Sequence, residues 1–100
     1  MNRKIILYEA GNCCGFERDP KESKAFDAEW DHLIKDFPED SFTRYNTMNN
    51  WSKFNLQKEI VKLMFRQGKG ILPILLINDQ IIMVEKYPTY FELRDVLKSL

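Results

Sequence analysis

The sequence is poor in the residues on which many small domains depend. Its 100 residues include two cysteines, one histidine, four glycines and four prolines. The two cysteines, Cys13 and Cys14, are adjacent and cannot form the disulfide framework of a small secreted domain. The only histidine of the sequence is His32. Two cysteines and one histidine match poorly the four ligands that a structural zinc site requires.

The chain also lacks a charge surplus and a long apolar run. Fifteen basic and fifteen acidic residues cancel, whereas a nucleic-acid binder usually carries a basic surplus, so we expect weak nucleic-acid binding at most. No apolar run approaches the ~18 residues of a membrane span. The apolar run that follows Lys4 is too short for a secretory signal. We therefore expect a cytoplasmic protein with no membrane insertion, in which both thiols stay reduced.

The sequence lacks the motifs of several enzyme classes. The sequence has no glycine-rich phosphate loop, no paired-carboxylate motif and no Ser-His-Asp set, which argues against a nucleotide enzyme or a hydrolase. Hydrophobic residues make up 44% and charged residues 30% of the chain, as in globular proteins. Because 100 residues fit one domain, we assign residues 1–100 to a single domain.

Hydrophobic periodicity predicts seven elements in the order strand, helix, strand, helix, strand, strand, helix. Asp19 and Thr89 each precede a glutamate by three residues, which predicts a helix start at both places. Glycine at position 68 predicts the end of the middle helix. The predicted strands cover 4–8, 41–45, 74–77 and 81–84, the middle helix covers 53–67, and a turn covers 78–80.

This order of elements predicts an α/β fold of thioredoxin-like type, with a mixed four-stranded sheet and three helices. The cysteines follow the first strand and precede the first helix, where such folds carry their thiols. Pro73 directly precedes the third strand. In thioredoxin-like folds the proline at that place is cis and faces the thiol loop.

The adjacent thiols leave three interpretations open. A disulfide between neighbours needs a strained ring or a cis peptide that costs about 3 kcal/mol, but one thiol can still attack an external disulfide. Two thiolates can instead share one soft ion, since metal–sulfur bonds of about 2.3 Å keep the sulfurs apart. Trivalent arsenic or antimony, which binds three sulfurs in a pyramid, suits Cys13 and Cys14. The third interpretation is a scaffold or regulator whose cysteines are incidental.

Other residues with possible chemistry have simpler explanations. We interpret His32 as a solvent-facing helix residue rather than a ligand. The lysines and arginine of 58–66 fit a solvated helix face. Aromatic residues beside helix starts usually belong to the core, although exposed ones would favour a protein-docking patch; these are Trp51, Phe54, Tyr87, Tyr90 and Phe91. We assign packing roles to the methionines, Met48, Met64 and Met83.

Several segments resemble the arsenical-resistance ArsD family in order along the chain. The first strand runs into the Cys13-Cys14 pair, and three later segments match the family's second strand, proline-strand and Tyr-Pro helix start. The likeness covers roughly residues 5 to 97. The later segments are Arg44-Tyr45-Asn46, Gly70-Ile71-Leu72-Pro73-Ile74-Leu75-Leu76-Ile77, and Tyr87-Pro88-Thr89 with Glu92-Leu93.

The resemblance implies a thioredoxin-like fold and a non-enzymatic metallochaperone. It implies that Cys13 and Cys14 bind trivalent arsenic or antimony as cargo for an ArsA-type pump ATPase, without an organic cofactor. Family members are also described as weak trans-acting repressors of the arsenical operon. The family's site uses a third cysteine, whereas the matching residues 15–19 have none. A small thiol or a second subunit of a homodimer would therefore supply the third sulfur.

Overall fold

Four strands form one mixed sheet in the computed structural model, which describes residues 3–9, 20–47 and 50–99. The spatial order is β2-β1-β3-β4. β1 pairs in parallel with β2 and antiparallel with β3, and β3 pairs antiparallel with β4. This arrangement confirms the predicted mixed sheet. The strands are β1 (Lys4–Glu9), β2 (Ser41–Asn46), β3 (Ile74–Ile77) and β4 (Gln80–Val84).

The described residues form four α-helices, and the prediction of one continuous helix over 53–67 is wrong. Its place is taken by two helices, because Gln57 adopts an extended conformation. Phe54 and Ile60 are both buried in one cluster, yet six residues along one helix would point them about 120° apart. The break lets both face the sheet. The helices are α1 (Pro20–Asp36), α2 (Trp51–Asn55), α3 (Lys58–Gln67) and α4 (Tyr90–Ser99), with a 3-10 turn at Lys69–Ile71.

Strand β1 is buried on both faces and divides the core into two layers. Ile5 and Leu7 pack with the α1 and α4 side chains, whereas Ile6 and Tyr8 pack with those of α2 and α3. This division follows from the alternation of side chains along a strand. It explains why β1 is a continuous apolar run rather than an alternating one.

The turn between β3 and β4 is tighter than the predicted turn over 78–80. Only Asn78 and Asp79 lie between the strands, and both have positive φ angles, of 51° and 67°. Asn and Asp tolerate this conformation, and paired positive φ angles suit the twist of a two-residue hairpin. Asn78 also accepts a hydrogen bond from the Lys4 backbone N–H through Oδ1, at 3.0 Å.

The Leu72–Pro73 peptide is cis, which the sequence had left undecided. The predicted helix start at Thr89 is confirmed. The Thr89 Oγ1 accepts from the Glu92 backbone N–H at 3.1 Å, while Glu92 Oε1 accepts from the Thr89 backbone N–H at 3.1 Å. These reciprocal bonds form the predicted capping box at the start of α4. The predicted Asp19 cap lies outside the described residues. None of the helices in the described ranges combines the length and the apolar character needed to cross a bilayer.

Candidate functional site

One edge of the sheet gathers the ends of three strands. Glu9, the last residue of β1, is in register with Asn46, the last residue of β2. Tyr8 is opposite Ile74, the first residue of β3, so the cis proline Pro73 precedes β3 at the same edge. The segment 10–19 leaves β1 here and connects it to α1. The predicted site residues Cys13 and Cys14 belong to that segment and lie outside the described residues.

Glu9 is a buried carboxylate with several hydrogen-bond donors. Its side chain accepts from Arg44 Nε at 2.7 Å and Nη2 at 2.6 Å, one bond to each oxygen, and from the Tyr87 hydroxyl at 2.5 Å. Glu9 is only 6% exposed. A carboxylate removed from water is stable only when its oxygens are paired in this way. The end of β1 is therefore held from two other parts of the chain.

Arg44 connects this carboxylate to α1. Its Nη1 donates to Asp27 Oδ1 at 2.5 Å, and its guanidinium lies 5.4 Å from the centre of the Phe26 ring. Burial alone would lower the pKa of Arg44, but the hydrogen bonds to Glu9 and Asp27 outweigh it and raise that pKa. The guanidinium therefore stays charged. The Phe26 ring also lies 5.0 Å from the Tyr87 ring, which closes the cluster.

Aromatic rings support the other face of the same edge. Tyr8 contacts Phe54 edge to face at 5.0 Å and Tyr45 at 5.5 Å, and burial raises the pKa of Tyr8 to about 12. Phe54 therefore belongs to the core, as predicted. Trp51 stacks on Phe54 at 5.6 Å but is 45% exposed, so the core assignment does not describe it.

The other residues that the sequence offered as possible ligands do not belong to this cluster. His32 lies near the C-terminal end of α1, exposed, with its ring stacked 4.1 Å from Tyr90 and its Nε2 3.6 Å from Asp36. Its interpretation as a solvent-facing residue is confirmed. Met64 and Met83 pack against the two core clusters as predicted, while Met48 lies outside the described residues. Within the described ranges, no three His, Cys, Asp or Glu side chains group as a metal site would require.

The reasoning from sequence did not assign Glu9, Arg44 and Tyr87 to one cluster. A signal was present, because Glu9 ends an apolar strand and a charge at the end of a buried strand needs a partner. Arg44 in the next predicted strand was the available cation. Its choice over other cations depends on strand register, which the residue pattern alone does not specify.

Comparison with known proteins identifies the family. The family model described as arsenical resistance operon protein ArsD matches residues 2–99. The chain belongs to the ArsD family. A relative in Halobacterium salinarum, named "Putative arsenical resistance operon repressor ArsD", is 33% identical over 100 residues. The match covers 96% of this chain and 92% of that protein.

Solved structures agree with the fold. The crystal structure of an arsenical resistance operon trans-acting repressor from Bacteroides vulgatus superposes with a TM-score of 0.74 at 20% identity, covering 95% of this chain and 92% of that one. Fasciola hepatica thioredoxin gives 0.55 at 11% identity, covering 98% and 80%. The predicted thioredoxin-like fold and the ArsD resemblance are both confirmed. Three residues of the resembling segments, Arg44, Pro73 and Tyr87, lie at the edge from which segment 10–19 departs.

Proposed function

We propose that this ArsD-family protein is a cytoplasmic carrier of trivalent arsenic or antimony, with Cys13 and Cys14 as sulfur ligands. The observation that carries the proposal is the Glu9–Arg44–Tyr87 cluster. It fixes the last residue of β1, and Cys13 is only four residues further along the chain. A ligand segment that starts from a rigid, hydrogen-bonded anchor loses less conformational entropy when it binds an ion.

The chemistry of the ligands decides the class of cargo. Thiolates favour soft centres, and trivalent arsenic takes three sulfurs. This chain has two cysteines, so the third sulfur comes from a small thiol such as glutathione or from a second subunit of a homodimer. The recipient we propose is an ArsA-type pump ATPase, to which the ion would pass by exchange of thiolates. After the ion has been transferred, both thiols return to their starting state. The protein that we propose is therefore a carrier and not an enzyme.

A regulatory role accompanies the carrier role in this proposal. The Halobacterium and Bacteroides relatives are named as operon repressors. We extend to this chain a weak trans-acting repression of an arsenical-resistance operon. Because the protein has zero formal net charge, we expect it to displace few counterions from DNA, so operator binding would be weak and its dependence on salt shallow.

A thiol–disulfide redox protein is the second candidate. The thioredoxin-like fold favours it, together with the position of Pro73 at the edge of the sheet from which the cysteine-containing segment departs. In that role one of the two thiols would attack an external disulfide as a thiolate and form a mixed disulfide. The second sulfur of the external disulfide would leave as a thiolate and take up a proton from water.

Titration of the fully reduced protein with trivalent arsenic tests the carrier. Protection of the thiols against an alkylating reagent gives the stoichiometry, and the tryptophan fluorescence, to which the buried Trp30 and the half-exposed Trp51 both contribute, gives a second signal. Cys13→Ser and Cys14→Ser are the matched variants. We expect saturable binding of one ion per chain with added glutathione, or one ion per two chains without it, and loss of binding in both variants.

Other outcomes reject the carrier. No thiol protection at high micromolar arsenic would exclude it. Reduction of a model disulfide that is lost in one cysteine variant would then establish the redox function. Unchanged function in cells that carry both substitutions together would instead show that the cysteines are incidental.

A further inference from the structure

The two sides of the sheet carry opposite charge. Residues 51–67, which include α2 and α3, have four basic side chains and one acidic side chain. Residues 20–40, which include α1, have three basic and seven acidic side chains. The two helical layers cover opposite faces of β1. A chain with zero net charge therefore has a basic side and an acidic side.

The outer face of α3 presents an aromatic residue in the middle of this basic side. Ile60 is fully buried against the sheet, and Phe65, five residues later, points about 140° away from it. Phe65 is 91% exposed. Lys62 lies three residues before Phe65, within one helical turn on the same face, and Lys58 lies one further turn along that face, because residues three and four apart are neighbours there.

Further exposed apolar residues extend this face. Val61 precedes Phe65 by four residues and is 39% exposed, and Leu56, between α2 and α3, is 74% exposed. In the described part of the chain, Lys58 and Arg66 make no ion pair, and Lys62 approaches only Glu59, at 4.0 Å. The α3 face, defined as Lys58, Val61, Lys62, Phe65 and Arg66, thus combines three cations, of which only Lys62 has a distant carboxylate partner, with an exposed apolar centre.

We infer that the α3 face is a docking surface for a protein partner whose contact surface places acidic side chains around an apolar pocket. Phe65 is the anchor that fills the pocket, and the three cations pair with the acidic rim. An aromatic anchor surrounded by charged residues is the usual composition of an interface centre and its rim. The inference does not depend on metalloid binding by Cys13 and Cys14.

Two other occupants fit these observations less well. A nucleic acid would use the cations but leave Phe65, Val61 and Leu56 in water, and the few cations fall short of the six to ten phosphate contacts of a strong binder. A second copy would have to offer its acidic α1 side, where several of the seven carboxylates are already engaged within the chain. Asp27 is bound by Arg44, and Asp40 is bound by Arg3.

Titration of the isotope-labelled full chain with synthetic helical peptides, followed by amide NMR shifts, tests the inference. The probe peptide has glutamates around a pair of leucines. One control peptide replaces the leucines by alanine, and another replaces the glutamates by lysine. We expect the probe alone to shift the amides of α3, with binding about tenfold weaker in Phe65→Ser and in Lys62→Glu. The matched variants Phe91→Ser and Lys98→Glu on α4 should bind as the parent does.

Four results would overturn the inference. The first is equal binding of the alanine peptide, which would mean that charge alone determines binding, and the second is no shift of the α3 amides with the probe. The third is a 20-base-pair duplex DNA that shifts the same amides at a lower concentration. The fourth is self-association of the chain through α3. Sedimentation of the parent chain beside Phe65→Ser detects the last of these. Circular dichroism confirms that each variant is folded, as expected for substitutions at exposed positions.

Discussion

Glu9 and Arg44 form a diagonal pair across two parallel strands. Arg44 is in register with Leu7, two residues before Glu9, and its guanidinium reaches forward to both carboxylate oxygens at 2.6 and 2.7 Å. Residues two apart on a strand share a face. The pair therefore lies on the α1 side of the sheet, where Tyr87 donates the third hydrogen bond.

Removal of the cation should destabilise the protein strongly. Arg44→Met removes the guanidinium that donates to both oxygens of the buried Glu9 carboxylate, which costs about 3–5 kcal/mol in the free energy of unfolding. Urea unfolding followed by circular dichroism measures it. The double variant Arg44→Met with Glu9→Gln is the control and should recover part of the loss. A cost below about 1 kcal/mol would mean that the pair behaves as an exposed ion pair.

Tyr87→Phe should separate anchoring from folding. It deletes one hydrogen bond to a charged group, worth about 1.5–3 kcal/mol, and leaves the ring contact with Phe26 in place. If Glu9 anchors segment 10–19, which contains Cys13 and Cys14, the affinity for trivalent arsenic should fall by about tenfold. A loss of this size is typical when groups that hold metal ligands in place are removed. The matched control is Tyr90→Phe, whose hydroxyl bonds Asp36 at the exposed far end of α1. Equal affinities in both variants would contradict the anchoring role.

Low pH should reduce the free energy of unfolding by protonating Asp40. Burial alone would raise the pKa of Asp40, but hydrogen bonds from the side chain and backbone of Arg3 outweigh it and lower that pKa. The carboxylate therefore contributes stability above the unfolded-state pKa of about 3.9, and the contribution is lost as the pH falls through the lower folded-state pKa.

Comparison of the parent with Asp40→Asn across pH measures this contribution. The urea midpoint of the parent should exceed that of Asp40→Asn at pH 7, and the gap should narrow below about pH 5. Asp31→Asn, at an exposed position of α1, is the matched control and should show little gap at any pH. A constant gap for Asp40→Asn would contradict the linkage.

The capping box at α4 should contribute through Thr89. Thr89→Ala removes the Oγ1 acceptor for the Glu92 backbone N–H and should cost about 1 kcal/mol in the free energy of unfolding. Thr89→Ser keeps the acceptor and should unfold close to the parent. The pKa of Glu92 is lowered by the Thr89 backbone N–H and by Lys86, so the benefit should shrink in acid. Equal stability of the alanine and serine variants would contradict the cap.

The sequence predicted elements well where a local rule decides them. The apolar run of β1, the Thr89–Glu92 spacing and the helix end at Gly68 each depend on neighbours a few residues away, and all three are present. The continuous helix over 53–67 was wrong because Phe54 and Ile60 must both meet the sheet, which is a tertiary requirement. Ile34 is apolar like its buried neighbour Leu33 on α1, yet it is 40% exposed.

By itself the sequence determined the fold class and the family resemblance, because these depend on the order of elements and on side-chain chemistry, and it supplied the hypothesis that Cys13 and Cys14 bind a soft ion. Only the tertiary structure decided which groups meet. The register between β1 and β2 selects Arg44 as the partner of Glu9, and the path into α4 brings in Tyr87 from 78 residues away. It also decided that Phe65 faces water while Ile60 is buried. Such outcomes depend on where the whole chain places its surfaces, which no local pattern specifies.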